Sequence, residues 1–401
     1  MKQSRDINPW RGFVAAGFAC AFLLQTSCED DPMTKYGGEM TDHPVFEVEV
    51  QSQWSAGTAV SRNSDTEIEI DAIDCKLGNK PLWLVTETSA INDSVSRNGE
   101  CGMSRGTATT TATFGTEFGL SAICYDGAAG TDLTGWPANF AANEKVTQSG
   151  GVWSSSTKDL DWMGSGRLRF FAYAPYEAEG LKSAALKLTM TVNSDVKKQT
   201  DLLTATADCS GTGGAAVKLG FGHALAAVKV KSGSGMLAGK VTKVTVSGVC
   251  GTGEYDMVSG KWTPTGAADS KFETGSGYSA DLGENAEKGD DYPYSKPGEN
   301  ITGDGDGLTL FMIPQDLGSG AKLAIEFVDN LTGTSSTLEA SIGGTGKKWE
   351  AGKLYAYALS TSGIVVTPVV ELKNSLTGAD LSAEKDSVSY AGVLPNVSMK
   401  A

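Results

Sequence analysis

The chain has 401 residues and a formal net charge of −15 at neutral pH, with 50 glycines and only 20% charged residues. The negative charge argues against nucleic acid or an anionic lipid surface as a partner, because both require a cationic surface. Frequent glycine and sparse charge favour many short strands joined by turns over long helices. The composition therefore predicts an all-β protein.

Residues 1–27 have the pattern of a lipoprotein signal peptide. A basic start is followed by an apolar run over 13–24, which is too short to span a membrane as a mature helix, and small residues precede Cys28. We expect lipidation at Cys28, although Gln25 stands where a lipobox usually has an aliphatic residue; the alternative is cleavage nearby by an ordinary signal peptidase. A lipid with two or more chains would anchor the protein stably. The polar residues 28–41 are predicted to form an acidic tether.

From Val45 onward, apolar and polar residues alternate with period two, which is typical of half-buried strands. Predicted strands cover 45–51, 67–73, 81–85, 117–122, 168–173, 186–192, 215–219, 224–230, 241–246, 308–313, 322–328 and 354–359. A glycine-rich break at 211–214 divides this series and predicts two β-sandwich domains, at 42–212 and 213–361. Residues 362–401 are predicted to be a further strand with a tail, or the start of another domain.

Catalytic and metal-binding patterns are weak. The two histidines, His43 and His223, lack sequence neighbours that would make a general base or a metal site, and His223 is predicted to have a structural role. The acidic run 303–307 lacks the closing glutamate of a calcium loop, so a turn is favoured. Seven cysteines at irregular spacing predict mostly buried thiols, with one or two bridges left open. We therefore expect no enzyme activity, no metal and no cofactor.

Several motifs in order resemble those of the fimbrillin family. They are Trp162, the run 167–176 that ends in alanine, proline and tyrosine, Asp201 to Leu203, the run 217–230, Tyr255 to Trp262, the run 311–315, and the run 349–357. The resemblance covers most of the mature chain. It implies a type V pilin-like protein with two tandem transthyretin-like β-sandwiches, exported as a lipoprotein and displayed outside the outer membrane. The acidic residues after Cys28 resemble a surface-export signal, with a solvated linker as the alternative.

The resemblance also implies assembly by strand exchange. In such a mechanism an arginine-specific protease cuts after the first strand, here the strand of Val45, Phe46, Val48 and Val50, and another pilin subunit donates a strand to the vacated groove. The favoured bond joins Arg62 and Asn63. Arg97 and Arg105 are competitors, and an anchor or tip subunit that is never cut is the other alternative.

The candidate donor strand lies near the C-terminus. Its apolar residues are Ile364, Val365, Val366, Val369 and Val370. Pro368 interrupts this run and, having no amide hydrogen, would break a strand ladder there. Ser94 and Ser387 lie in short sequences that resemble the O-glycosylation sequon of the same kind of secretory system.

Two functions from different classes remain open at this stage. The first is a structural and adhesive fimbrial subunit whose partners are other pilin subunits, the maturation protease, the outer membrane through its lipid, and ligands on host or bacterial surfaces. The alternative is a monomeric, surface-exposed lipoprotein of a nutrient-capture system that binds glycans through exposed aromatic rings. An enzyme is a distant third, because no pair of carboxylates stands out.

Overall fold

The computed structural model describes residues 43–51, 67–77, 80–90, 108–156, 160–286, 293–302 and 308–361. All of them belong to one compact unit. Apart from two single turns of 3-10 helix, at Thr111–Thr113 and Val196–Lys198, the regular structure of these residues is strand. None of the helices described has the length and apolarity needed to cross a bilayer. The prediction of an all-β fold is confirmed.

The strands are, in chain order, β1 (Val45–Val50), β2 (Glu67–Leu77), β3 (Lys80–Ala90), β4 (Glu117–Tyr125), β5 (Ala141–Ser149), β6 (Val152–Ser155), β7 (Arg167–Ala174), β8 (Leu181–Ala184), β9 (Lys187–Thr191), β10 (Leu203–Ser210), β11 (Val217–His223), β12 (Ala226–Ser232), β13 (Gly239–Val249), β14 (Thr252–Asp256), β15 (Lys261–Pro264), β16 (Ser270–Glu273), β17 (Ala280–Leu282), β18 (Leu310–Met312), β19 (Gln315–Asp316), β20 (Lys322–Asp329), β21 (Ser335–Ser341), β22 (Lys348–Trp349) and β23 (Lys353–Ser360). Each of the twelve predicted strands coincides with one of these.

Seven strands close into a barrel in the order β1, β11, β10, β7, β4, β5 and β6, with β6 pairing back onto β1. Alternation along the strands fills its interior. In β7, for example, Leu168, Phe170 and Ala172 point into the barrel core, whereas Phe171 and Tyr173 on the opposite face join a second core. Gly119 is required beside this strand, because a Cβ at that position would overlap the Tyr173 ring.

The second core lies among the remaining sheets. One has the order β18, β12, β23, β3 and β2, and another has β16, β13, β20 and β21, with β17 paired to β13. Buried side chains from both sheets meet in it, including Val228, Tyr357 and Phe327. A four-stranded sheet, β15, β14, β9 and β8, contributes Leu188 and Tyr255 to the same core. The outer face of β4 and β7 therefore packs against these sheets, and the barrel core stays separate.

Strand pairing crosses the predicted boundary between residues 212 and 213. β11 follows that boundary in sequence but pairs with β10 and β1 of the barrel. The hairpin of β2 and β3 precedes it but pairs with β23 at the end of the described chain. Both crossings arise because ladder partners are chosen by complementary apolar faces rather than by proximity in sequence. The division into two tandem transthyretin-like domains stays a prediction.

Candidate strand-docking groove

The first strand, β1, closes the barrel between β11 and β6. It runs parallel to β11, with Phe46 opposite Val217 and Val50 opposite Phe221. On its other side it pairs antiparallel with β6, but only at Val45 and Phe46. One edge of β1 is therefore held along its length, while the other is held by a strand only at its beginning.

The side chains of β1 follow the predicted alternation. Phe46 and Val50 are buried, with 4% and 3% of their surface exposed, and Val48 is half-buried against the same core. Glu47 and Glu49 point outward and are exposed. Val45 is half-buried at the start of the strand. The predicted strand and its inward-facing residues are thus observed, and its displacement stays a prediction.

Aromatic rings line the wall that β1 covers. The Phe46 ring lies edge-on to Phe118, at 6.0 Å between centroids, and to Phe170, at 5.5 Å. Offset and edge-on aromatic pairs stabilise a core beyond the area that they bury. Phe221 and Trp153, from the two strands that flank β1, contact Phe118 in the same cluster. The wall behind β1 is therefore apolar, and its aromatic rings pack around the side chain of Phe46.

A short segment holds the C-terminal end of β1. The Val50 N–H donates to Thr111 Oγ1 at 3.1 Å, which supplies the acceptor that a neighbouring strand would otherwise supply. Three residues later Phe114 inserts into the barrel core against Trp153 and Phe221. We refer to residues 109–114 as the clasp, since they bind the strand and plug the barrel beside it.

The clasp is tied to a buried hydrogen-bonded pair, Asp201 and His223. The Thr109 N–H donates to Asp201 Oδ2 at 2.8 Å, and the same oxygen lies 2.8 Å from Nδ1 of His223. Because a carboxylate only accepts hydrogen bonds, Nδ1 is the donor. Asp201 and His223 are only 3% and 5% exposed, and Asp201 Oδ1 has no hydrogen-bond partner among the described residues. The structural role predicted for His223 is consistent with this burial and pairing.

A second charged cluster lies on the outer face of the barrel. Asp208 on β10 accepts hydrogen bonds from Arg167, Arg169 and the Tyr125 hydroxyl, the last at 2.6 Å. Burial alone would raise the pKa of Asp208, but the hydrogen bonds from Tyr125 and Arg169 outweigh it and lower that pKa to about 2. Asp208 also accepts the Gly130 N–H at 3.2 Å, so the cluster fastens a loop to the sheet.

Many of the predicted site residues lie outside the described residues. They are Cys28, Arg62, Asn63, Ser94, Arg97, Arg105, Ile364, Val365, Val366, Pro368, Val369, Val370 and Ser387, together with the tether at 28–41 and the acidic run 303–307. Their roles stay predictions. Of the histidines, His43 is exposed, and its Nδ1 lies 2.6 Å from Asp161 Oδ1. Within the described ranges, no group of three or more side chains could hold a metal ion.

Of the cysteines whose side chains the structure describes, Cys124, Cys209 and Cys250 are free thiols. Cys124 and Cys209 lie opposite the same residue, Leu168, on the two strands that flank β7. A whole strand therefore separates them, which is too far for a disulfide. Burial raises the pKa of the Cys209 thiol.

Sequence reasoning missed the residues that hold β1 in place. Thr111 lies in a run of threonine and alanine over 107–113, which reads as a polar loop without indicating its partner. Asp201 belongs to a noted motif, yet nothing in the sequence pairs it with Thr109, 92 positions earlier. The motif 217–230 was the available signal for the wall of the groove, because its first half is β11.

Comparison with known proteins gives a family match over two thirds of the chain. A profile of the fimbrillin-like family matches residues 105–375. The match includes β4 to β23 and the clasp, and therefore all of the barrel except β1 and all of the sheets around the second core except β2 and β3. A comparison with curated proteins finds no match.

Solved structures of low sequence identity are also similar. A fimbrial protein from Bacteroides vulgatus is 20% identical, covering 61% of this chain and 87% of that one, with a TM-score of 0.37. A Bacteroides ovatus protein provisionally described as a cell adhesion protein is 18% identical over 61% of this chain and 81% of its own, with a TM-score of 0.40. The fimbrial anchor protein Mfa2 from Porphyromonas gingivalis is 12% identical over 57% and 74%, with a TM-score of 0.24.

Proposed function

Because the chain belongs to the fimbrillin-like family, we propose that it is a structural subunit of fimbriae that assembles by exchanging β1 for a strand of another subunit. Family membership by itself supports the role of a fimbrial subunit that associates at the cell surface with other fimbrial subunits. In the proposed exchange an arginine-specific protease cuts the chain, β1 leaves, and the groove between β11 and β6 receives the donor strand. Main-chain hydrogen bonds then supply affinity and the aromatic wall supplies specificity.

The observation that carries this proposal is the separate placement of β1. It lies in the barrel, whereas β2 and β3, the next strands in sequence, lie in the sheet of β12 and β23. A single cut between β1 and β2 would therefore free one strand and leave every other ladder intact. The groove so uncovered would expose Phe118 and Phe170, which β1 now covers through Phe46.

The same placement favours Arg62 over its competitors. Arg62 lies in sequence between the end of β1 at Val50 and the start of β2 at Glu67. Arg97 and Arg105 follow β3, so a cut at either would also sever β3 from the rest of the chain. β3 pairs with β23 over eight residue positions, from Lys353 to Ser360, and losing it would expose the second core. Of the three candidate cuts, only cleavage at Arg62 would separate β1 alone from the rest of the fold.

We further propose that Cys28 carries the lipid that anchors the subunit to the outer membrane, facing outward, until assembly. The function is structural, with no catalytic role and no cofactor. A polypeptide held by two or more acyl chains stays at the membrane stably enough to wait for its protease. Replacing Cys28 with serine and measuring metabolic labelling by a palmitate analogue tests this step directly.

Limited proteolysis of the purified, unlipidated chain tests the exchange. An arginine-specific protease is expected to cut after Arg62 first, seen by mass spectrometry, and the remaining body is expected to form a ladder of oligomers on gel filtration. Arg62→Lys keeps the charge but removes the cleavage site, so it should stay uncut and monomeric, while Arg97→Lys should behave like the wild type. Oligomers from uncut Arg62→Lys, or a cut body that stays monomeric, would contradict strand exchange.

A second candidate function is a monomeric glycan-binding lipoprotein. The observation in its favour is Trp136, a residue that is 43% exposed in the loop between β4 and β5 of the barrel. An exposed ring of this kind can stack on a sugar face. Binding of the intact chain to a glycan array, abolished by Trp136→Ala and accompanied by resistance of Arg62 to cleavage, would favour this candidate over the fimbrial one.

A further inference from the structure

The hydrogen bonds of β1 alternate between its two neighbours. The Gln51 N–H donates to the Phe221 carbonyl of β11 at 2.7 Å. In a parallel ladder every second residue points its backbone groups to the same neighbour. Glu47 and Glu49 therefore also bond β11, while Phe46, Val48 and Val50 point their N–H groups toward the opposite side, where β6 lies.

On that opposite side the three N–H groups meet different surroundings. Phe46 lies opposite Trp153 of β6. The Val50 N–H bonds Thr111 Oγ1 of the clasp. Val48 lies between them, where the ladder with β6 has already ended, and outside the ladders its N–H donates to none of the residues that the structure describes. From Phe46 to Gln51, Val48 is thus the one position whose N–H has no partner in the described walls of the groove.

A strand that replaced β1 would meet the same pattern. Proline has no N–H, so it would lose a hydrogen bond at the position of Phe46, Glu47, Glu49, Val50 or Gln51. At the position of Val48 it would lose none. Its fixed φ is compatible with extended backbone, and the residue before a proline is itself biased toward the extended region. The groove therefore admits a proline at one place only.

We propose that segment 364–370 of a second copy of this chain enters the groove with Pro368 at the position of Val48. This inference rests on the proposed strand exchange and fixes its register. Val366 then takes the place of Phe46 and Val370 that of Val50, so that all three inward positions stay apolar. In this proposal the donor runs in the direction of β1, which is parallel to β11 and antiparallel to β6.

In this register the donor fills the space at the position of Phe46 only in part. Phe46 fills the space between the Phe118 and Phe170 rings, and Val366 is much smaller. Poor filling of an apolar site weakens binding in proportion to the space left. Val366→Phe in the donor should therefore strengthen subunit association by tenfold or more, whereas Val365→Phe, which points outward in this register, should leave it nearly unchanged.

Cysteine cross-linking measures the register directly. Lys218 of β11 lies opposite Glu47 and is exposed, so in the uncut chain Glu47→Cys should cross-link to Lys218→Cys and calibrate the geometry. In assembled oligomers the proposed register places Thr367 opposite Lys218. Lys218→Cys with Thr367→Cys is expected to give covalent oligomers. Val365→Cys or Val369→Cys should give none, and Lys218→Cys alone controls for the native thiols.

The outcomes distinguish an error in the proposed register from an error in the proposed strand exchange. Oligomers that form after cleavage but cross-link through residue 365 or 369 would overturn the register while leaving strand exchange in place. If neither the wild-type nor the variant chain forms oligomers after cleavage at Arg62, strand exchange itself is wrong and the register falls with it. As a second measurement, moving the proline by one residue, with Pro368→Val and Val369→Pro together, should lower the association constant of the subunits about fivefold, the effect of one lost hydrogen bond.

Discussion

Thr111 and Val50 are 61 positions apart in sequence, yet the hydroxyl of one accepts the backbone N–H of the other at 3.1 Å. The bond lies where β6 no longer pairs with β1, so a side chain of the clasp supplies the partner that a strand does not supply there. Such a contact can be undone by a small movement of the clasp. The end of β1 is therefore held on this side by a side chain rather than by a strand, and four measurements follow from this arrangement and its surroundings.

Thr111→Val removes the acceptor of the Val50 N–H while keeping the shape of the side chain. One hydrogen bond contributes about 1 kcal/mol, so amide exchange in residues 45–51 should become about fivefold faster. Hydrogen exchange with mass spectrometry measures this. Thr111→Ser keeps the hydroxyl and should exchange as the wild type does; equal rates in the two variants would show that the bond does not hold the strand.

Phe46→Ala should lower the free energy of unfolding by about 3 kcal/mol, because it removes a buried ring that contacts Phe118 and Phe170. Urea unfolding, followed by fluorescence, gives the value. The neighbouring exposed residue provides the matched control, and Glu47→Ala should change the free energy by less than about 0.5 kcal/mol. Similar losses in both variants would mean that β1 contributes no specific packing.

Asp208→Asn tests the charged cluster on the outer face of the barrel. The pKa of Asp208 in the folded protein, about 2, lies below the ordinary value of 3.8, so its contribution to stability is fully present above about pH 4 and is lost as the pH falls toward 2. The shift corresponds to about 2 kcal/mol at neutral pH. Unfolding free energies at pH 7 and pH 2.5 should differ less in the variant, and an unchanged pH dependence would refute the assignment.

Asp201→Ala should destabilise the protein by about 3 kcal/mol, because the Thr109 N–H and His223 both lose a buried acceptor. The loss should also loosen the clasp, which amide exchange at residues 109–114 would detect. Asp281, whose side chain is largely exposed, supplies the control, and Asp281→Ala should be nearly neutral. If amide exchange at the clasp were unchanged in Asp201→Ala, the Asp201–His223 pair would not hold the clasp in place.

Local patterns explain which strands the sequence predicts. β1 alternates apolar and acidic residues along its whole length, and β7 is dominated by aromatic and aliphatic residues. By contrast β5 has the sequence Ala141-Ala-Asn-Glu-Lys-Val-Thr-Gln-Ser149, with few apolar positions and no period, because only Ala141 and Val146 face the core. It is a strand because it pairs with β4 on one side and β6 on the other. The local sequence of β5 carries no signal for these two partners.

The sequence predicts the strand β1 of the groove, but it does not predict the wall and the clasp that surround this strand. Phe46, Val48 and Val50 follow from period two, and their apolar character predicts a buried face. The aromatic wall depends on the register between β1, β11 and β6, which is set by long-range packing. The bonds of Thr111 and Asp201 depend on where two loops meet in space. Sequence pattern alone cannot give such relationships, because their energies involve partners about 60 to 90 positions away.

The central position of β23 also has a mechanical consequence. It lies between β12, which runs parallel to it, and β3, which runs antiparallel, and each ladder extends over at least six residue positions. A tension applied along the strand axis to the chain beyond Ser360 would load both ladders in shear, so that their hydrogen bonds resist together rather than one after another. In a subunit pulled by its C-terminal tail, we therefore expect β23, the strand that carries the force, to be among the last elements to detach.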